Sequence, residues 1–106
     1  MKSLYDDNFQ ETISNAALPI IADIYSDGCV GCKYISPILA EAEDAYRDKI
    51  GFFKLNAAFN EKIPAKYNVL SVPTLLFFNE NGEFLKSVTG LKSYEELEDK
   101  IKEIFK

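Results

Sequence analysis

The chain contains no histidine and no tryptophan, and only one methionine and two cysteines among 106 residues. Each shortage excludes something. A structural zinc site needs four cysteine or histidine ligands, so this chain cannot complete one alone. A small extracellular scaffold stapled by disulfides needs several cysteine pairs, and here there is at most one. That one would join Cys29 to Cys32, closing a loop too small to restrain much of the unfolded chain. No apolar run is long enough to span a bilayer. The first residues, "MKSLYDDNFQET", lack the apolar core of a secretory signal, so a cytoplasmic location is the expectation. Repeats, low-complexity tracts and linkers are also missing, which leaves a single domain over residues 1–106 as the expected organisation. Basic residues number 12 against 17 acidic ones, a net charge of −5. This balance argues against nucleic acid or an anionic membrane surface as the main partner.

What is present alternates in period. "DDNFQETISN" offers Asp6 or Asp7 as an N-cap and predicts a short helix over about 7–15. "PIIADIYS" predicts a strand buried on both faces, oddly interrupted by Asp23. From Cys29 onward, Ile35, Ile38, Leu39, Ala42, Ala45 and Tyr46 recur at helical spacing, with Pro37 placed to kink or break the helix. "IGFFKLN" reads as a second strand and "NEKIPAKYN" as a short helix. "TLLFFNENGEFLKSVTG" holds two strand-like runs around Asn81-Gly82, predicting a tight hairpin. In "SYEELEDKIKEIF", Ser93 and Glu96 form a capping box ahead of a helix that carries Leu97, Ile101, Ile104 and Phe105 on one face. The order is helix, strand, helix, strand, helix, hairpin, helix. It implies an α/β fold, a mixed sheet covered by helices on both faces.

The two cysteines stand at the predicted strand-to-helix junction. Residues three apart in a first helical turn lie on one side, within reach of a disulfide. Helix-terminal N–H groups and the helix dipole favour a thiolate on the first sulfur. Cys29 should therefore be the more exposed and more acidic thiol, Cys32 the more buried one, with Lys33 adding positive charge. A metal shared between two copies and a pair of inert buried cysteines remain open at this point.

With "IADIYSDGCVGCKYISPIL", "FFKLNAAFNEKIPAKYNVLSVPTLLFFNENGE" and "TGLK" taken together, nearly the whole chain resembles thioredoxins. The resemblance implies a thioredoxin fold with a central mixed sheet of four or five strands. It implies Cys29 as attacking thiol, Cys32 as resolving thiol, Asp23 as a buried carboxylate serving Cys32, and Lys54 as its neighbour. Pro73 matches the family's cis-proline, with Val72 before it offering backbone hydrogen bonds to an extended client. Gly90 matches a glycine beside the active site that lets a partner approach. Gly28 and Val30 flank the cysteines and would also meet the client. The implied activity is reduction of protein disulfides without a bound cofactor, by a monomer that a thioredoxin reductase restores. A protein oxidant or isomerase, and a redox-sensing adaptor, are the rival readings on the same fold.

The departures are local. The family's usual Trp-Cys-Gly-Pro-Cys is Gly28-Cys29-Val30-Gly31-Cys32 here. Tyr25 and Gly28 stand where the family has tryptophans, and Ala58 stands where it has an acid. "KSL" leaves the first strand short or missing. Gly31 should loosen the turn that a proline stiffens, and the dipeptide between the cysteines tunes the redox potential.

Overall fold

The computed structural model describes all residues from Met1 to Lys106. The elements are β1 (Lys2–Ser3), α1 (Phe9–Asn15), β2 (Ile20–Tyr25), α2 (Val30–Ala45), β3 (Gly51–Asn56), α3 (Lys62–Lys66), β4 (Thr74–Phe78), β5 (Phe84–Val88) and α4 (Tyr94–Ile104). They build one five-stranded sheet in the order β1-β3-β2-β4-β5. β1, β3 and β2 run parallel, whereas β4 is antiparallel to β2 and β5 to β4. The parallel β2–β3 pair requires a crossover, and α2 supplies it. "KSL" does form a strand, of two residues, paired to Phe53 and Lys54.

Side chains of β2 alternate between two cores, as the period of a strand demands. Ile20, Ala22 and Ile24 pack with Phe9, Ile13 and Ile63 beneath α1 and α3. Ile21 packs with Leu39, Phe77, Leu97 and Ile101 beneath α2 and α4. The continuous apolar run of β2 follows from this double coverage. By the same alternation Asp23 lies on the α2 side of the sheet, in register with Lys54 of β3 and Leu75 of β4.

Three local expectations change. α1 starts at Phe9 behind Asn8, and neither Asp6 nor Asp7 caps it. Asp6 instead caps α3, its carboxylate oxygens accepting the N–H groups of Lys62 and Ile63 at 3.0 and 2.9 Å. α3 has no capping side chain of its own, so an acid more than fifty residues upstream satisfies its free donors. The hairpin is wider than a two-residue turn. Phe78 pairs with Phe84 beside a register shift, and the loop between them is organised by Asn79, whose Oδ1 accepts from the N–H groups of Asn81 and Glu83. Only Gly82, at φ +82°, is left-handed there, so the two-residue turn that needs two positive φ values does not form. α2 continues through Pro37 from Val30 to Ala45; Pro37 is on its exposed side and, as expected of an interior proline, removes one ladder donor. In the capping box, Ser93 Oγ accepts from Glu96 N–H at 3.1 Å, but Glu96 Oε1 reaches back to the N–H of Lys92 rather than Ser93.

Ala17 follows the C-cap of α1 at φ +58°, a left-handed position where glycine or asparagine is usual. It is exposed, so its methyl group gains little by packing. Ala17→Gly should raise stability by about 0.5–1 kcal/mol, the relief of strain exceeding the added chain entropy. A urea midpoint at or below wild type would contradict this.

Candidate active site

Cys29 is the N-cap of α2, with extended backbone, and its Sγ accepts the Cys32 N–H at 3.1 Å. The capping role usually taken by a serine or aspartate oxygen is thus taken by sulfur. Cys29 and Cys32 form a disulfide, their Cα atoms 5.2 Å apart. Gly28 precedes them at φ +78°, a conformation that turns the chain from β2 into the helix and that a side chain resists. Cys32 is 7% exposed, Cys29 is half-buried, and Val30 projects outward at 82% exposure.

The facing wall is the approach to β4. The Val72–Pro73 peptide is cis, and the Val72 carbonyl oxygen lies 3.6 Å from Cys29 Sγ. Thr74 Oγ1 donates to the Ser71 carbonyl at 2.6 Å and ties this segment down. The two walls nearly touch at Gly31: a β-carbon there would stand 3.1 Å from Pro73 Cδ. Val30, Pro73 and Gly90 line one cavity of about 520 Å³ on this side. Gly90 is left-handed at φ +77° with open space where a side chain would be.

On the other side of the cysteines, Asp23, Cys32, Ser36 and Lys54 line a second cavity of about 380 Å³. Asp23 is 5% exposed, and its Oδ1 has no hydrogen-bond partner in the protein. Burial raises its pKa from 3.8 to about 6, and Lys54 opposes the rise. The Lys54 ammonium stands 5.7 Å from the centre of the Tyr25 ring, a cation–π distance. A buried carboxyl that titrates near neutrality beside a cysteine pair can exchange protons with the inner thiol.

A model of the thioredoxin family matches residues 1–103. The chain belongs to the thioredoxin family. A thioredoxin of Rickettsia typhi is 32% identical over 99 residues, covering 93% of each chain. A thioredoxin of Buchnera aphidicola is 36% identical over 96 residues, 91% of this chain and 88% of the relative. The M-type chloroplastic thioredoxin of Spinacia oleracea is 33% identical over 101 residues. This chain spans 95% of its own length in that match and 55% of the spinach protein's. Membership and the Cys29–Cys32 pair make the chain a thiol–disulfide oxidoreductase.

The residues singled out from sequence fall into two groups in space. Asp23 and Lys54 share the inner cavity with Cys32 and Gly28, whereas Val30, Pro73 and Gly90 share the outer one. Val72 joins them through its carbonyl beside Cys29. Sequence reasoning missed Tyr34, Asp27 and Asn56. Asn56 Nδ2 donates to Asp27 Oδ2 at 3.4 Å and Asn56 Oδ1 accepts the Ala58 N–H at 2.9 Å, joining the cysteine loop to the end of β3. No periodicity marks such a pair, which meets only because β2 and β3 end side by side. No helix of the protein is long and apolar enough to cross a membrane.

Proposed function

We propose that the chain reduces disulfides in client proteins and is itself returned to the dithiol by a thioredoxin reductase. The observation that carries this is the position of Cys29 Sγ, half-exposed at the start of α2 and accepting a backbone N–H at 3.1 Å. In the reduced protein the same donor and the helix dipole favour a thiolate there. That thiolate attacks one sulfur of a client disulfide. A mixed disulfide forms, and the other client sulfur leaves as a thiolate. Asp23, through water in its cavity, takes the proton of Cys32. The Cys32 thiolate then attacks Cys29 Sγ, the second client sulfur leaves, and two electrons have passed from the pair to the client. Lys54 moderates the Asp23 carboxylate.

Val72, Pro73, Gly90, Gly28 and Val30 serve as the client surface. An extended client segment would pair with the Val72 backbone, in the manner of a strand added to a sheet edge. Their neutrality favours docking by shape and backbone contact. We take the working form to be a cytoplasmic monomer that needs no cofactor of its own.

The potential of the Cys29–Cys32 pair, equilibrated against glutathione, tests the direction of the chemistry. A reductant should lie well below about −200 mV; a value well above it would make the protein an oxidant or isomerase. Dithiothreitol-driven insulin reduction should be accelerated by the wild type. No acceleration would favour the adaptor reading.

A further inference from the structure

One loop beside the cysteines is held more firmly than its sequence suggests. The segment from Thr89 to Lys92 joins β5 to α4 and carries Gly90. Both backbone groups of Lys92 are captured by side chains of different helices. Its carbonyl accepts the Tyr34 hydroxyl of α2 at 2.9 Å, and its N–H donates to Glu96 Oε1 of α4 at 2.7 Å. Between Gly90 and Lys92, Leu91 is buried in the core under α2 and α4. Tyr34 stands two residues after Cys32 in the first turns of α2. Tyr34 and Lys92 line the same cavity of about 520 Å³ as Val30, Gly31, Pro73 and Gly90. Tyr34 is 56% exposed, so its ring contributes little to the core, and the hydroxyl bond is its one directional contact with the rest of the fold.

We propose that Tyr34 and Glu96 clamp the Lys92 peptide from both sides and so fix the width of the client cleft, which makes Tyr34 a positioning residue that determines specificity for protein disulfides. This rests on the assignment of Val30, Pro73 and Gly90 to the client surface. An extended protein segment must fit between the Val72–Pro73 wall and the Gly90 loop and gains from a loop already in place. A small disulfide needs only access to Cys29. The clamp therefore acts on the discrimination between the two, leaving the chemistry of the sulfurs to Cys29, Cys32 and Asp23.

The test is Tyr34→Phe, which keeps the ring and removes the hydroxyl at an exposed position. The reduced protein is oxidised in single turnover by insulin and, separately, by a small aromatic disulfide. The half-saturating insulin concentration should rise roughly two- to tenfold, the range set by one exposed hydrogen bond. The limiting rate should move less, so the ratio of second-order constants, insulin over small disulfide, falls by the same factor. Amide exchange at Leu91 and Lys92 should accelerate. An unchanged ratio, or an equal loss with both oxidants, overturns the clamp, as does unchanged exchange in this loop. Val30→Glu, measured alongside, tests the client surface itself. If it lowers the ratio and Tyr34→Phe does not, the clamp alone fails. If neither lowers it, the client surface fails too.

Discussion

Cys29→Ser should abolish client reduction, a loss of at least about a thousandfold, while Cys32→Ser should stop the same reaction one step later. A serine hydroxyl at the start of α2 is not ionised near neutral pH and cannot attack a disulfide sulfur. In Cys32→Ser the first attack survives, because Cys29 keeps its place as N-cap and the backbone N–H of residue 32 remains to stabilise a thiolate. Nothing then resolves the mixed disulfide. Intact-mass measurement after mixing with an oxidised client should show one client per chain, released by dithiothreitol. The exposures predict which sulfur carries it, since Cys29 is half-buried and Cys32 only 7% exposed. A client adduct on Cys32 in the Cys29→Ser protein would reverse the assignment.

Asp23→Asn should stabilise the fold at neutral pH and slow its turnover. The Asp23 pKa is raised from 3.8 to about 6, chiefly by burial. Between these values the folded protein holds a proton that the unfolded chain has released, so wild-type stability falls as pH rises through this window. The loss is complete above pH ~6 and amounts to about 3 kcal/mol at ~1.4 kcal/mol per pH unit. The substituted amide carries no charge at any pH, so the variant's advantage should be absent below pH ~4 and approach that figure by pH ~8. Parallel urea-midpoint profiles for the two proteins would sink the prediction. For the reaction, a free thiol of pKa ~8.5 is only about 3% thiolate at pH 7, so losing the base should slow resolution by roughly thirtyfold or more. Raising the pH should restore the variant's rate as Cys32 ionises without help. Superimposable rate profiles from pH 5 to 9 would remove Asp23 from the mechanism.

The candidate site was legible because it is written in types of residue that fit their surroundings badly. Asp23 interrupts an apolar strand, and the pair of cysteines opens a helix. The fold was legible where period and coverage agree. β2 is continuous because α1 and α3 cover one face and α2 and α4 the other, and α4 carries its buried Leu97 and Ile101 one turn apart. What escaped depends on distant meetings. Asp6 looks like a cap for the helix beside it, yet it caps α3, where the free N–H groups have no nearer acceptor. Asn81-Gly82 signals a two-residue turn, yet the Asn79 side chain organises a longer loop. Tyr34 reads as one more polar position on a helix, and only the path of the Gly90 loop gives its hydroxyl a partner.

Gly31 has a consequence for how this active site can change. Its missing β-carbon leaves Pro73 Cδ where that carbon would be 3.1 Å away, closer than packed atoms normally settle, and Pro73 is fastened through Ser71 and Thr74. Any side chain at position 31 therefore touches the client wall directly, and the Pro73 ring must give by a few tenths of an ångström to admit it. Grafting the family's Gly-Pro dipeptide into positions 30 and 31 would thus bear on the Val72–Pro73 wall as well as on the potential. Redox tuning and client recognition share a single residue here, and a dipeptide exchange reads out both at once.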